Sequence, residues 1–416
     1  MEANKENQQS VEQAFNQALD AYKAGHFAEA AGQWLALAED GCAPAQRALG
    51  SLYERGQGVE KNAENAFEWT KKAAEQNDPI AMFNLACYHD KGFGVKKNQQ
   101  TALTWYRKAA EYGHPEAAAL IASLIETGDR GLEKDMDEAV RWYQIAANRG
   151  NVLAMGRLAW LYSTGTGVPQ DAAKAVEWFE KAAGRKDLGA VMELGMMYRD
   201  GKYMPPDREK ALNWFEKGAE WKDPYSMAAL ADMLMEGSPS GEQAARALAL
   251  YREAAAIGYP PAALKAAELL QNGKGGELDA DEAYRLLRRA ADATGDPKAM
   301  YMLAQVYYTR GDDAQGDSLM KASAQAAYLP AMNRMARLHL LPGSTLSWNP
   351  VLSYYYWNQA GELGDEGAAS AAFWLLWGSM AALSLVIFLV VWRFHRFAVR
   401  RLAEQQKQEQ QSSDDA

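Results

Sequence analysis

Residues 81–111 read AMFNLACYHDKGFGVKKNQQTALTWYRKAAE, and this stretch decides the fold because the chain keeps repeating it. Its opening half returns as AQRALGSLYERGQGV from Ala45, AMGRLAWLYSTGTGV from Ala154 and AVMELGMMYRDGKYM from Ala190. The slot of the opening alanine is also filled by Ala117, Ser226, Ala262, Ala299, Ala331 and Ala368, giving spacings of 36, 36, 37, 36, 36, 36, 37, 32 and 37 residues. A constant period of this length marks a stacked array, in which one unit cannot bury its apolar face alone and neighbours complete it.

Each unit carries two helical patterns. In the first, an apolar residue stands four places after the opening alanine (Leu49, Leu85, Leu158, Leu194, Leu230, Leu303), where one helix face requires it. A small residue follows at once, such as Gly50, Ala86, Ala159, Gly195 or Ala231, and lets a neighbouring helix come close. The helix is expected to stop at Gly56, Gly92, Gly128, Gly165, Gly201, Gly237 or Gly273, because glycine takes the left-handed conformation of a helix C-terminus at little steric cost. The second pattern reads AFEWTKKAAE, ALTWYRKAAE, AVRWYQIAAN, AVEWFEKAAG and ALNWFEKGAE, and its recurring Trp69, Trp105, Trp142, Trp178 and Trp214 are expected to be the buried core of the stack. Plentiful alanine and few β-branched residues outside the C-terminal segment agree with an all-α chain.

These residues resemble the Sel-like repeat (SLR) family, relatives of the tetratricopeptide repeats with a longer, glycine-containing loop. The resemblance covers about residues 10–370 and rests on the small-residue slot, the GxGV loop and the WxxKAA second helix occurring together. It implies a right-handed superhelical solenoid of about ten helix-turn-helix repeats, serving as an adaptor in protein complexes. Departures are visible: Leu250 and Leu286 replace the tryptophan, the unit from Ala299 is shortened, and STLSWNPVLSYYYW is expected to enlarge the loop and second helix near 344–357.

Residues 373–392, FWLLWGSMAALSLVIFLVVW, are uncharged and about as long as the ~20 residues that cross a hydrocarbon core. The expected organisation is a polar lead-in at 1–10, repeats over 11–370, a transmembrane helix over 371–395 and a basic, then polar tail over 396–416. Gly378 and Ala382, four residues apart, form a small-xxx-small signal for helix pairing, hence a homo-oligomer through the span; lipid-facing small residues are the alternative. Orientation sets two arguments against each other. Arg393, Arg396, Arg400 and Arg401 follow the run while Glu362, Asp365 and Glu366 precede it, so the positive-inside rule puts the repeats outside. Yet MEANKENQQSVEQAF at the N-terminus lacks the basic and apolar regions of a secretory signal that would export them. The balance favours a single-pass membrane protein with cytoplasmic repeats, and the inverted arrangement stays open in case an upstream signal has been removed.

No catalytic, cofactor or metal site is expected. His26, His89, His114, His339 and His395 are scattered, no HExxH, GxSxG or GxxxxGK[ST] pattern occurs, and the GxG loops follow helices instead of strands. Cys42 and Cys87 are too few for a disulfide framework and are expected to be small buried side chains. A net charge of −10 with interspersed signs offers no basic stripe to nucleic acid. What varies between units is a helical stripe three and six places after the opening alanine. Its members Asn84, Arg157, Trp160, Glu193, Met196, Asp232, Lys265, Glu268, Gln305, Arg334 and Arg337 are the candidate groove for a protein partner, because the first helices of such stacks line the concave surface; an ordinary solvated face is the alternative. The function expected is a membrane-anchored scaffold binding a partner through this face. A regulator or quality-control subunit contacting a membrane complex through its transmembrane helix is the competing reading.

Overall fold

A polar side chain stands just before most helices and accepts the orphaned N–H three residues on, which starts the helix. Asp78 accepts from Ala81 N at 2.8 Å, Asn151 from Ala154 N at 2.8 Å and Asp296 from Ala299 N at 2.7 Å. The opening alanine of the repeat is therefore the capped residue. At His114 the Nδ1 atom does the same for Ala117 N, at 3.3 Å, with the ring stacked 4.5 Å from that of Phe83. Burial lowers the His114 pKa below its ordinary value, which keeps Nδ1 free to accept.

The computed structural model describes residues 2–275, 278–340, 346 and 349–378, and among them every regular element is helical. Two compact units divide after Gly218, near the end of helix Arg208–Glu220. The first unit opens with the hairpin Glu2–Lys23 and Phe27–Glu39, so residues 2–10 belong to a helix whose first turns the sequence suggested as a lead-in. Helix pairs follow: Ala43–Arg55 with Ala63–Glu75, Pro79–Lys91 with Gln99–Glu111, Pro115–Thr127 with Met136–Asn148, and Val152–Thr164 with Ala172–Ala183, then Leu188–Asp200 and Arg208–Glu220. The second unit pairs Pro224–Met235 with Gly241–Ile257, Pro260–Gln271 with Ala280–Thr294, Pro297–Thr309 with Asp313–Gln325 and Leu329–Leu338 with Pro350–Glu362, and ends in Glu366–Gly378.

The small-residue slot does what its composition implies. A Cβ at Gly195 would come within 3.0 Å of the Phe215 ring, and one at Gly50 within 3.0 Å of Thr70 Oγ1. The tryptophans are a different matter: Trp69, Trp105, Trp142, Trp178 and Trp214 are half-buried, and the next residue of each (Thr70, Tyr106, Tyr143, Phe179, Phe215) is the buried one. The inward face of a second helix is centred on Ala66, Thr70 and the Ala73–Ala74 pair, which leaves Trp69 on its shoulder. There the indole is covered by the lysine three residues on. Lys72, Lys108, Lys181 and Lys217 lie 3.9, 4.6, 4.1 and 4.8 Å from the ring centroids of Trp69, Trp105, Trp178 and Trp214, a cation–π arrangement that keeps the ammonium in water.

The two loop glycines have separate jobs. Gly56, Gly92, Gly128, Gly165 and Gly201 end their helices in the left-handed conformation as expected, whereas Gly237 and Gly273, also at positive φ, lie one residue beyond the caps Glu236 and Asn272. The second glycine of GxG also has positive φ, and it packs on the preceding second helix. A Cβ at Gly58, Gly94 or Gly275 would stand within 3.0 Å of the main chain of Phe27, Ala63 or Ala244, each in the first turns of that helix. Only a hydrogen fits, so the motif is a docking point between successive repeats.

Two further expectations change. Cys42 and Cys87 are half-buried rather than enclosed, and the Cys87 sulfur accepts from the Tyr106 hydroxyl at 3.3 Å. The second helix near 350 is not enlarged: Pro350–Glu362 has 13 residues, like most of the others. The unit from Ala299 is short only in its turn, Arg310–Gly311–Asp312, between two helices of 13 residues. Of the scattered histidines, His89 is half-buried while His339 is buried. Among the described residues no helix is long and apolar enough to cross a membrane. The expected span 373–392 lies outside them from residue 379 onward, as do Ala382 and the tail 396–416, and Gly378 is the last residue of helix Glu366–Gly378.

Two comparisons test this packing. Gly94→Ala should cost about 3–4 kcal/mol, a left-handed backbone plus an overpacked contact, whereas Gly131→Ala, with positive φ but open space around it, should cost about 1–2 kcal/mol. Phe215→Ala should cost about 3–5 kcal/mol and the adjacent Trp214→Ala about 1–2 kcal/mol, reversing the ranking that the tryptophan ladder suggests. Urea melts of the four variants read both.

Candidate partner-binding face

The first helices carry the variable stripe, and their positions are best followed one unit at a time. In the first unit Arg157, half-buried on helix Val152–Thr164, reaches back to Glu126 at the end of helix Pro115–Thr127. Its Nε donates to Glu126 Oε2 at 3.1 Å and its Nη2 donates to Oε1, a forked pair. Glu126 also accepts from the Tyr143 hydroxyl at 2.7 Å. Burial raises the Glu126 pKa, and the hydrogen bonds from Arg157 and Tyr143 more than offset this, so its carboxyl titrates below the usual range. The guanidinium so fixed lies 4.2 Å from the ring centroid of Trp160, one turn further on. Trp160 is 38% exposed, and Leu153 on the same face is 78% exposed.

Across from it, helix Leu188–Asp200 contributes Glu193, exposed and without a partner among the described residues, and half-buried Met196 one turn beyond. Val152, Leu153, Gly156, Arg157 and Trp160 from one helix and Asp187, Gly189, Ala190 and Glu193 from the next line a notch of about 380 Å³, with Phe179. Gly156 leaves open space above its Cα. The structure thus brings together Arg157, Trp160 and Glu193. Asn84 is half-buried two repeats earlier, on helix Pro79–Lys91.

The second unit shows the stripe engaged with its neighbours. Lys265 Nζ lies 3.2 Å from Asp232 Oδ1, Lys298 Nζ lies 2.5 Å from Glu268 Oε1, and the Tyr251 hydroxyl donates to Asp232. Burial, then the Asp232 carboxylate, pushes the Tyr251 hydroxyl well up, so it remains a donor. Gln305, Arg334 and Arg337 are exposed.

The varying stripe is not free of contacts, as Arg157, Asp232, Lys265 and Glu268 show. Their partners come from adjacent repeats and change identity together. A second row was missed. Glu54, Asp90 and Glu126, nine places after the opening alanine, accept from Tyr88 at 3.0 Å, Arg130 at 3.0 Å and Arg157 at 3.1 Å of the following repeat. Leu153 and Gly156 were missed as well, since a lone leucine and a lone glycine inside a helix have no counterpart at the repeat period. Among the described residues no cluster of His, Cys, Asp and Glu is placed to hold a metal ion.

The Sel1 repeat profile matches residues 43–78, 79–114, 115–151, 152–187, 189–220, 224–259, 260–294, 297–320 and 329–365. The chain belongs to the Sel1 repeat family. Its Sel1 repeats begin at the first helices, and those ending at residues 78, 114, 151 and 187 stop on the caps Asp78, His114, Asn151 and Asp187. The chain is similar to c5321, a protective antigen of uropathogenic Escherichia coli strains with an SLR fold, at 26% identity and a TM-score of 0.74, over 88% of this chain and 80% of that one. A Sel1 repeat protein of Oxalobacter formigenes is 32% identical with a TM-score of 0.49, over 58% of this chain and 99% of its own. No curated protein matches the chain. Sel1 repeat solenoids are generally protein–protein interaction scaffolds, which is the level of function that membership carries.

The Glu126 pair gives a stability test with a defined sign. Its folded pKa is depressed, so its contribution is present above the ordinary value of 4.5 and is lost as pH falls through the lower folded value. Glu126→Gln should destabilise by about 1–2 kcal/mol near neutrality, and the gap to the parent protein should close once the solution is acidified below the depressed folded value. Urea melts at the two pH values measure it.

Proposed function

We propose that this chain is a scaffold that holds a protein partner against the exposed faces of its first helices, and that residues 373–392 tether it to a membrane by a single pass. The observation carrying the first part is Trp160. A large aromatic ring stands partly exposed beside an even more exposed Leu153, and an Arg157–Glu126–Tyr143 network fixes its neighbour. Exposed aromatic and arginine side chains held in place before binding are what interaction hot spots are made of. Arg334, Arg337 and Gln305 extend the same reading to the second unit, each unit offering its own stretch of the face.

The tether is supported by continuity. Only Leu363–Asp365 separate helix Pro350–Glu362 from helix Glu366–Gly378, and that helix enters the apolar run at Phe373. Gly378 and Ala382 would then face a second copy within the membrane, and the repeats would lie on the cytoplasmic side.

Affinity capture of the full chain from detergent-solubilised membranes tests the scaffold. One stoichiometric partner should be retained by the parent protein and lost when Arg157, Trp160, Glu193, Arg334 and Arg337 are changed to alanine, with helical content and melting preserved. Capture that survives all of these changes would remove the face from the proposal. Removal of residues 373–392 should release the chain from the membrane pellet, and protease added to sealed vesicles of known sidedness should leave the repeats intact if they are cytoplasmic.

A further inference from the structure

The notch beside Trp160 has a shape and a charge that specify more than a general docking face. We propose that it receives a protein segment carrying one large apolar side chain next to a lysine or arginine, an assignment that rests on the scaffold reading and names its ligand chemistry.

Shape comes first. The wall on one side is the face of helix Val152–Thr164 formed by Leu153, Gly156 and Trp160, spaced three and four residues apart. On the other side stand Gly189 and Ala190, at the start of helix Leu188–Asp200. A Cβ at Gly156 would meet nothing within 4 Å, and at Gly189 it would meet only an oxygen of Asp187. Side chains are thus missing where the two helices face each other, and a cavity of about 380 Å³ remains. That is near the lower end of the ~300–1,000 Å³ of small-ligand sites, so it suits one side chain and not an extended apolar ligand. Leu153, 78% exposed, lines the notch and would be covered by such a side chain.

Charge comes second. Arg157 is the one cation lining the notch, and Glu126 holds it in a forked pair from behind. Arg185, close by in sequence, donates to the Gly150 carbonyl at 3.2 Å and is not part of the lining. Two carboxylates line the notch. Asp187 caps helix Leu188–Asp200 through Ala190 N, and Glu193 stands exposed with no partner among the described residues. With Arg157 neutralised, the rim is acidic, and a cation beside the inserted side chain would find Glu193 unengaged. An acidic segment would meet two carboxylates and a guanidinium already taken.

The test uses the full chain in detergent and a displayed library of random peptides as the probe. Enriched peptides should combine a large apolar residue with an adjacent lysine or arginine. A synthetic peptide made from the commonest of them should bind at least about tenfold more weakly to Gly156→Leu, which fills the notch, and to Glu193→Lys, which reverses its rim. Gly156→Leu enters open space, so its melting should equal or exceed that of the parent protein, and Glu193→Lys supplies a second variant at an exposed position. Enrichment of acidic peptides, absence of any enrichment, or binding unchanged in both variants overturns the assignment. If partner capture still depends on the wider face in that event, the scaffold reading survives while this one falls.

Discussion

The repeats of this chain are held in register by a contact that leaves room for a hydrogen atom and nothing larger. Where the second loop glycine of one repeat meets the opening turn of the preceding second helix, at Gly58 on Phe27, Gly94 on Ala63 and Gly275 on Ala244, a methyl group would overlap main-chain atoms. Main chain cannot be repacked as a side chain can, so the contact sets spacing with little tolerance. At those three junctions the contact fixes how closely a loop approaches the helix before it, whereas in the repeat of Arg157 and Leu153 the corresponding Gly167 meets the Met136 side chain instead.

The same logic explains how the interior stays apolar while the outer and inner surfaces remain polar. Alanines and a few large residues of the second helices fill the layer between helices, as Phe215 does against Gly195. Tyr106, Tyr143 and Tyr251 pass through that layer and deliver their hydroxyls to Cys87, Glu126 and Asp232 on the first helices. Each such tyrosine joins the core of a repeat to its functional face, and burial raises each hydroxyl's pKa so that it stays a donor.

Periodic features were legible in the sequence and aperiodic ones were not. The helix ends at Gly56, Gly92 and Gly165, the close approach at Gly195 and the pairing of two helices per unit all recur, and recurrence at a constant period is visible without coordinates. Recurrence alone does not distinguish which of two adjacent residues faces inward, which is why Trp214 was taken for the core residue and Phe215 is the buried one. Variation was harder to read. Arg157 and Glu126, or Lys265 and Asp232, differ from unit to unit because each pair is complete in itself, and a row of unlike residues can be a row of satisfied pairs. The notch was invisible for a further reason: Gly156 acts by what it lacks, and only the facing helix shows that nothing fills the space.

The three-residue turn Arg310–Gly311–Asp312 is too short to carry a second glycine onto the preceding helix, and Gly311 touches nothing within 4 Å. In its place Arg310 lies 4.3 Å from the ring centroid of Tyr284 and 2.5 Å from Asp281 Oδ1, at the start of helix Ala280–Thr294. One junction is thus made by exposed charge where others are made by main-chain contact, and dissolved ions act on the first kind and hardly on the second. In the second unit this seam adds to the charged pairs Lys265–Asp232 and Lys298–Glu268, which also join neighbouring repeats. Concentrated salt is therefore expected to weaken the Arg310 contact while leaving the docking of Gly275 on Ala244 almost untouched.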